Sequence, residues 1–337
     1  MRTGALGTAF GRFPSQLNPN LDQAREHLLA WVDRFDLIHS HRARAKFSAA
    51  DFGHFVALVH PHADRRGLEL AADWFAWLFL VDDELDDGAI GRTPVAAAAL
   101  AHGVRGVLRG GGNGDRGDAN QALLAALSDL WDRTAAHGSA AWRARFVDHL
   151  EQCLHTAAFW EAGNRIAGIV PDKDTYVHRR RHTGAIYVCM DLIETFGGFE
   201  VPPARYRDAD FSGALDAACD VVCWTNDVYS LEKERSFGEV HNLVFIVGHH
   251  EKLSEAEAVS RVCAEIDTRT EQYLAFEKKL LTRSGPDHDP IGCCLEGMRT
   301  WMRGNFDWSS RTARYGHAPA FSTSMADPAS DRREHDL

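Results

Sequence analysis

One run constrains this fold more than any other. Leu68, Ala71, Ala72, Phe75, Leu78 and Phe79 recur at three- and four-residue intervals, the period of one face of an α-helix. Asp82 and Asp86 continue that face, inside the run Asp82-Asp83-Glu84-Leu85-Asp86-Asp87, which packs five carboxylates into six positions. A helix whose apolar face turns into carboxylates either ends at the surface or lines a cavity with a charged mouth.

The rest of the chain reads as helices. After an extended arm over residues 1–17, helices are expected from Leu21 to Phe35 and, with Ser48 and Asp51 as a cap, in a short segment before Pro61. The long helix from Asp64 to Asp86 follows, then one opened by the Thr93-Pro94 cap and first-turn proline. Further helices are expected at 119–136, at 140–163 behind Ser139, and from Pro171-Asp172 to Gly197-Gly198. Gly184 falls inside the last of these, where glycine costs about 1 kcal/mol against alanine and so marks a kink or a close approach. The remaining segments are 210–234, the apolar stretch Leu243–Val247, a long helix behind the capping box Ser254-x-x-Glu257, and one from Asp289-Pro290 to Trp308. The run Arg109–Gly117 is a surface loop, since it lacks a preceding strand and the order of a phosphate cradle. Residues 318–337 are polar without period and are expected to be disordered. With no β alternation, repeat or linker, the expectation is one all-α domain over residues 1–317, a bundle of roughly ten to twelve helices.

Composition narrows the function. A net charge of −11 without a basic stripe argues against nucleic acid as a partner. The seven cysteines are an odd set without metal-ligand spacing and read as buried free thiols in a reducing compartment. There is no signal-like apolar segment near Met1 and no run long enough to span a bilayer, so a soluble, cytoplasmic protein without membrane insertion is expected.

A second helix repeats the change of character. Asn226, Ser230 and Glu234 stand at i, i+4 and i+8, below Cys219, Val222 and Cys223 on the same face. An amide oxygen, a hydroxyl and a carboxylate are hard donors that suit Mg²⁺ rather than zinc. Two helices that pass from apolar lining to oxygen ligands would, face to face, enclose a greasy pocket with a divalent-metal rim. Mg²⁺ favours sites shared with substrate phosphates, so the pocket fits an apolar molecule with a phosphate or diphosphate head.

These residues resemble the class I terpene synthases, particularly the single-domain bacterial type. Asp82-Asp83-Glu84-Leu85-Asp86 matches the DDxxD motif, with Asp87 satisfying its DDxxxD variant, and Asn226-Asp227-x-x-Ser230-x-x-x-Glu234 matches the NSE motif without gaps. Arg180 lies 46 positions before Asn226, where the family places a diphosphate-sensing arginine, and Thr183 and Gly184 fall at its linker and effector positions. Arg314-Tyr315 matches the RY pair, Asn305-x-x-Trp308 resembles the segment before it, and Trp160 to Arg165 is also typical. The resemblance runs from about residue 13 to Tyr315 and implies the α-helical fold of that family with an apolar central cavity. The isoprenyl diphosphate synthases look similar in fold but carry a second aspartate-rich motif where this chain has NSE.

The resemblance implies a cyclase that uses three Mg²⁺ ions, with Mn²⁺ as a substitute, to ionise a prenyl diphosphate. Farnesyl diphosphate is the expected substrate, ahead of the geranyl and geranylgeranyl homologues, and a sesquiterpene hydrocarbon or alcohol the product. Asp82 would ligate metal, supported by Asp83 or Asp86, and Asn226, Ser230 and Glu234 would hold a further ion; Glu84 and Asp87 should matter least. Arg180, Lys233, Arg314 and Tyr315 would donate hydrogen bonds to the departing diphosphate, and Phe75, Leu78, Phe79 and Trp308 would line the wall. Dimers are common in the family, so the resemblance admits a homodimer. A reading from a different class is a non-catalytic helical scaffold whose acidic clusters bind cations loosely.

Overall fold

The computed structural model describes residues 6, 7, 9–86, 88, 90, 91, 93–110, 118–136, 138–283 and 290–315, which form helices and no strand. Asp87, the glycine-rich run beyond Gly110 and the tail 318–337 lie outside the described residues, as does the side chain of Asp86.

The N-terminal arm is partly helical, at residues 6, 7, 9 and 10, rather than extended throughout. It is clamped to the core: Phe10 stacks on Phe306 at 4.5 Å, and Arg303 donates to the carbonyls of Phe10 and Phe13. Helix α1 (Leu21–Arg34) buries Leu28, Trp31 and Val32 of the apolar side expected from Leu28, Leu29, Trp31 and Val32, while Leu29 is exposed. The next boundary differs from expectation. Ser48 lies inside α2 (His41–Ala50), and Asp51 alone caps α3 (Phe52–Val59), accepting from the His54 amide at 3.2 Å. Asp51 takes φ +53°, a left-handed conformation that aspartate tolerates because its short side chain bonds locally. It thereby ends one helix and starts the next.

Helix α4 (Arg65–Asp86) carries the apolar stripe. Its buried surface is wider than one stripe, because Trp74 and Trp77 face another way and donate to Thr134 and to the Leu123 carbonyl. Both partners lie on α6 (Asp118–Ala135), which with α5 (Pro94–Arg109) flanks the bundle. Helix α7 (Ala140–His155) gives way to a π-helical turn (Thr156–Glu161) and α8 (Ala162–Ala167), so the expected single helix over 140–163 is three pieces.

The helix expected from 171 to 197 is broken at Gly184. Helix α9 (Lys173–Thr183) ends there and α10 (Ile186–Gly197) restarts after Ala185, which has φ +54°. A short α11 (Pro203–Tyr206) leads to α12 (Ala209–Phe237), the NSE helix, capped by Asp208. Next come α13 (Leu243–Glu251), α14 (Glu255–Arg283), α15 (Pro290–Ser309) and a 3₁₀ turn (Ala313–Tyr315). The Ser254–Glu257 capping box forms with its reciprocal hydrogen bonds. Helix α12 packs on α14, α15, α9 and α10, while α4 packs on α1, α3, α6 and α10. One apolar cluster joins them all, from Leu6 to Tyr315.

Candidate active site

The carboxylates at the end of α4 stand at the rim, with Asp82 and Asp83 about half exposed, at 48% and 49%. Arg314 reaches across from the 3₁₀ turn and donates to both oxygens of Asp83, at 3.2 and 2.8 Å, with Asp82 3.7 Å away. Lys233 on α12 lies 3.7 Å from the same Asp83 carboxylate. Burial pushes the Asp83 carboxyl up, but Arg314 and then Lys233 outweigh it and hold it below the usual range. Asp83 thus links the end of α4 to Lys233 on α12 and to Arg314 of the 3₁₀ turn.

On α12 the expected face forms. Asn226 accepts from Arg180 at 2.9 Å through Oδ1 and donates to the Tyr315 hydroxyl at 2.6 Å through Nδ2. Ser230 donates to the Asn226 carbonyl at 2.8 Å, and Glu234 accepts from Asn242 at 2.7 Å. Burial, then the neighbouring Asp227, pushes the Glu234 carboxyl up to about 7.

Within the run Arg179-Arg180-Arg181, Arg180 and Arg181 take separate roles. Arg181 turns to Asp216 and Asp220, tying α9 to α12. Arg180 points inward and donates to Asp227 at 3.1 Å. Burial works against its charge, and Asp227 more than compensates, so the guanidinium is held firmly protonated. Asp227 is fully buried and also accepts from the Tyr176 hydroxyl at 2.6 Å and the Leu243 amide at 3.0 Å. Thr183 is buried beside the break, and its hydroxyl oxygen has no hydrogen-bond partner among the described residues. At Gly184 a Cβ would meet the Arg180 carbonyl, Arg180 Nη1 and Cys223 Sγ, each at 3.1 Å. The glycine is there for close approach, since its own φ is an ordinary −73°.

Beneath these residues lies a cluster of aromatic side chains. Phe75 meets Phe55 edge-on at 4.7 Å, Phe79 stacks on Phe52 at 4.5 Å, and Trp308 stacks on Phe55 at 4.6 Å. Trp301 closes on Phe75 at 5.3 Å, and Leu78 is half-buried against the same core. The Arg314 guanidinium sits 4.7 Å over the Phe79 ring, joining wall to rim.

Comparison with known proteins fits this geometry. The terpene synthase family 2, C-terminal metal-binding model matches residues 73–272, a span that holds the acidic run, Arg180 and the whole α12 face. The chain is 32% identical to pristinol synthase of Streptomyces pristinaespiralis over 310 residues, covering 90% of this chain and 83% of that one. It is 33% identical over 309 residues to (+)-T-muurolol synthase ((2E,6E)-farnesyl diphosphate cyclizing) of Roseiflexus castenholzii, covering 90% and 91%. This chain is a class I terpene synthase. The linalool/nerolidol synthase structure from Streptomyces clavuligerus superposes on it with a TM-score of 0.78 at 29% identity, covering 88% of this synthase and 98% of that chain.

A divalent-metal enzyme follows from the family model, and the residues of this synthase fit such an ion. The donors are hard oxygens, and on α12 Asn226 Oδ1 uses one of two lone pairs while Glu234 engages Asn242 through Oε2. Several residues of the site escaped sequence reasoning. Tyr176 stands one turn before Arg180 on the same face, a spacing that could have flagged it. Phe52, Phe55 and Trp301 carry no signal beyond apolarity, and Asn242 reads only as a helix cap. No helix among the described residues is long and apolar enough to cross a membrane.

Proposed function

We propose that this synthase uses Mg²⁺ to ionise farnesyl diphosphate and cyclises the resulting cation to a sesquiterpene hydrocarbon or alcohol. The observation that carries this reading is the pairing of two hard-oxygen stripes, bridged by Arg314 and Lys233 at Asp83, above one aromatic wall. Asp82, with Asp83 or Asp86, would hold metal on one side, and Asn226, Ser230 and Glu234 on the other, three ions in all. When bound, Mg²⁺ supplies Lewis-acid stabilisation of charge on the departing diphosphate. Arg180, Lys233, Arg314 and Tyr315 donate hydrogen bonds to that group, strongest when it carries most charge. Thr183 and the carbonyls at the Gly184 break face the reacting end. Phe75, Leu78, Phe79 and Trp308, with Phe52 and Phe55, exclude water and present ring faces to the cation, worth up to ~2 kcal/mol when desolvated.

Farnesyl diphosphate is supported by the relative whose name specifies it. A geranyl substrate is the second reading, favoured by a structural neighbour, 28% identical, solved with 2-fluorogeranyl diphosphate. Incubation with geranyl, farnesyl and geranylgeranyl diphosphates and Mg²⁺, followed by gas chromatography with mass spectrometry, tests both. Cyclised products from farnesyl diphosphate are expected. A folded sample that releases diphosphate from none of the three would refute the reading, and a requirement for isopentenyl diphosphate would reassign the chain to elongation.

A further inference from the structure

We infer that Asn242 is a positioning residue, which sets the rotamer of Glu234 and leaves one of its oxygens directed at the metal. The inference rests on the reading above, in which Asn226, Ser230 and Glu234 bind a divalent ion. Asn242 is fully buried, and every hydrogen-bonding atom of its side chain is used. Its Nδ2 donates to Glu234 Oε2 at 2.7 Å and to the Asp227 carbonyl at 2.8 Å, while its Oδ1 accepts from the Val244 amide at 2.8 Å. Turning the amide over would set its oxygen against two acceptors and its NH₂ against an N–H, so the orientation is determined by chemistry.

The backbone of Asn242 is held as well. It is the N-cap of α13, and the next residue, Leu243, donates its amide to the Asp227 carboxylate. Asp227 in turn holds Arg180 and Tyr176. Two consecutive residues therefore set both a metal-ligand carboxylate and the partner of the diphosphate-sensing arginine. The cap alone does not require asparagine, because serine and aspartate cap helices about as well. Only asparagine, among those caps, offers an NH₂ that can donate to Glu234 and to the Asp227 carbonyl at once. The Asn242 bond at Oε2 thus fixes how the Glu234 carboxylate is turned on α12.

Removal of an outer partner of a metal ligand costs about 10–100-fold in metal affinity. Asn242→Ser keeps a capping oxygen but lacks the reach and the second donor; Asn242→Asp keeps the cap and replaces the donor with a carboxylate, a second variant should the serine protein fold poorly. Calorimetric titration of the whole protein with inorganic diphosphate at several Mg²⁺ concentrations reads the effect without turnover. Either variant should bind diphosphate ~10–100-fold more weakly at limiting Mg²⁺ and recover as Mg²⁺ rises. A purely structural role would give a loss that Mg²⁺ does not rescue, and that outcome overturns the proposal. So does unchanged Mg²⁺-dependent binding while Glu234→Gln weakens it. If Glu234→Gln also leaves binding unchanged, the metal-ligand assignment has failed instead, and the inference falls with it.

Discussion

Replacing Gly184 by alanine sets two effects of opposite sign against each other. At φ −73° and ψ 1° the backbone suits any L-residue, and a Gly→Ala change at such a position ordinarily stabilises by about 0.4–1 kcal/mol. Here the new methyl would stand 3.1 Å from three atoms, the Arg180 carbonyl oxygen, Arg180 Nη1 and Cys223 Sγ. Carbon contacts are most favourable at roughly 3.5–4.0 Å, so each neighbour must yield by a few tenths of an ångström. The carbonyl belongs to the last turn of α9 and accepts the Gly184 amide at 2.9 Å, so it cannot rotate away. The thiol is pinned on α12 and approaches that same carbonyl at 3.5 Å. Overpacking of this kind costs about 1–3 kcal/mol, which outweighs the entropic gain. Turnover should fall further than stability, because Arg180 is the group displaced. Cys223→Ala removes one of the three obstructions. The double variant Gly184→Ala, Cys223→Ala should therefore be more stable than the sum of the single changes by about 0.5–3 kcal/mol. Urea denaturation of the four proteins, with kcat measured alongside, checks this. A stabilised Gly184→Ala protein, or strict additivity with Cys223→Ala, would refute the close-approach account.

Two further outcomes follow from buried charge. Asp227→Ala strands Arg180 and Tyr176 without their shared acceptor, and breaking a buried pair in this way costs about 3–5 kcal/mol. Thermal denaturation should show a large drop for Asp227→Ala, and a loss below about 1 kcal/mol would count against the network. At the other end of the bundle, His27 bonds to the buried Asp73 at 2.9 Å, and that bond raises the imidazole above its ordinary value despite desolvation. A folded-state value above the unfolded one means that the bound proton stabilises the fold. That stabilisation is fully present below about pH 6.5 and is lost as pH rises through the raised value. The difference in urea midpoint between the native chain and His27→Gln should shrink from about pH 6 to pH 9, and a pH-independent difference would contradict it.

Much of this molecule is legible in one dimension, and the reason is periodicity. The α4 stripe from Leu68 to Phe79, the caps at Thr93 and Ser139, and the Ser254–Glu257 box are local patterns, and local backbone physics alone places their helices. The ligand face of α12 is equally local, since residues four apart on a helix must share a side. The helix break was only half visible. Gly184 announced it, yet the left-handed residue is Ala185, and the need for glycine comes from Arg180 together with Cys223, the latter remote in sequence. Ser48 and Asp51 read together as one cap, whereas Ser48 lies inside α2 and Asp51 alone, in a left-handed conformation, caps α3.

The sequence by itself determined which residue types could meet: carboxylates and hard oxygens at the ends of two apolar stripes, and an arginine at a set interval before the second. Tertiary structure alone decided how they are spent. It gave Asp83 to Arg314 and Lys233, turned Arg181 away to Asp220 while Arg180 entered the site, and brought Tyr176 and Asn242 to Asp227 and Glu234. Apart from Asn242 and Glu234, which face each other across the turn between two helices, these pairings join positions tens to hundreds of residues apart. No helical period can encode them, because they depend on where whole helices lie against one another.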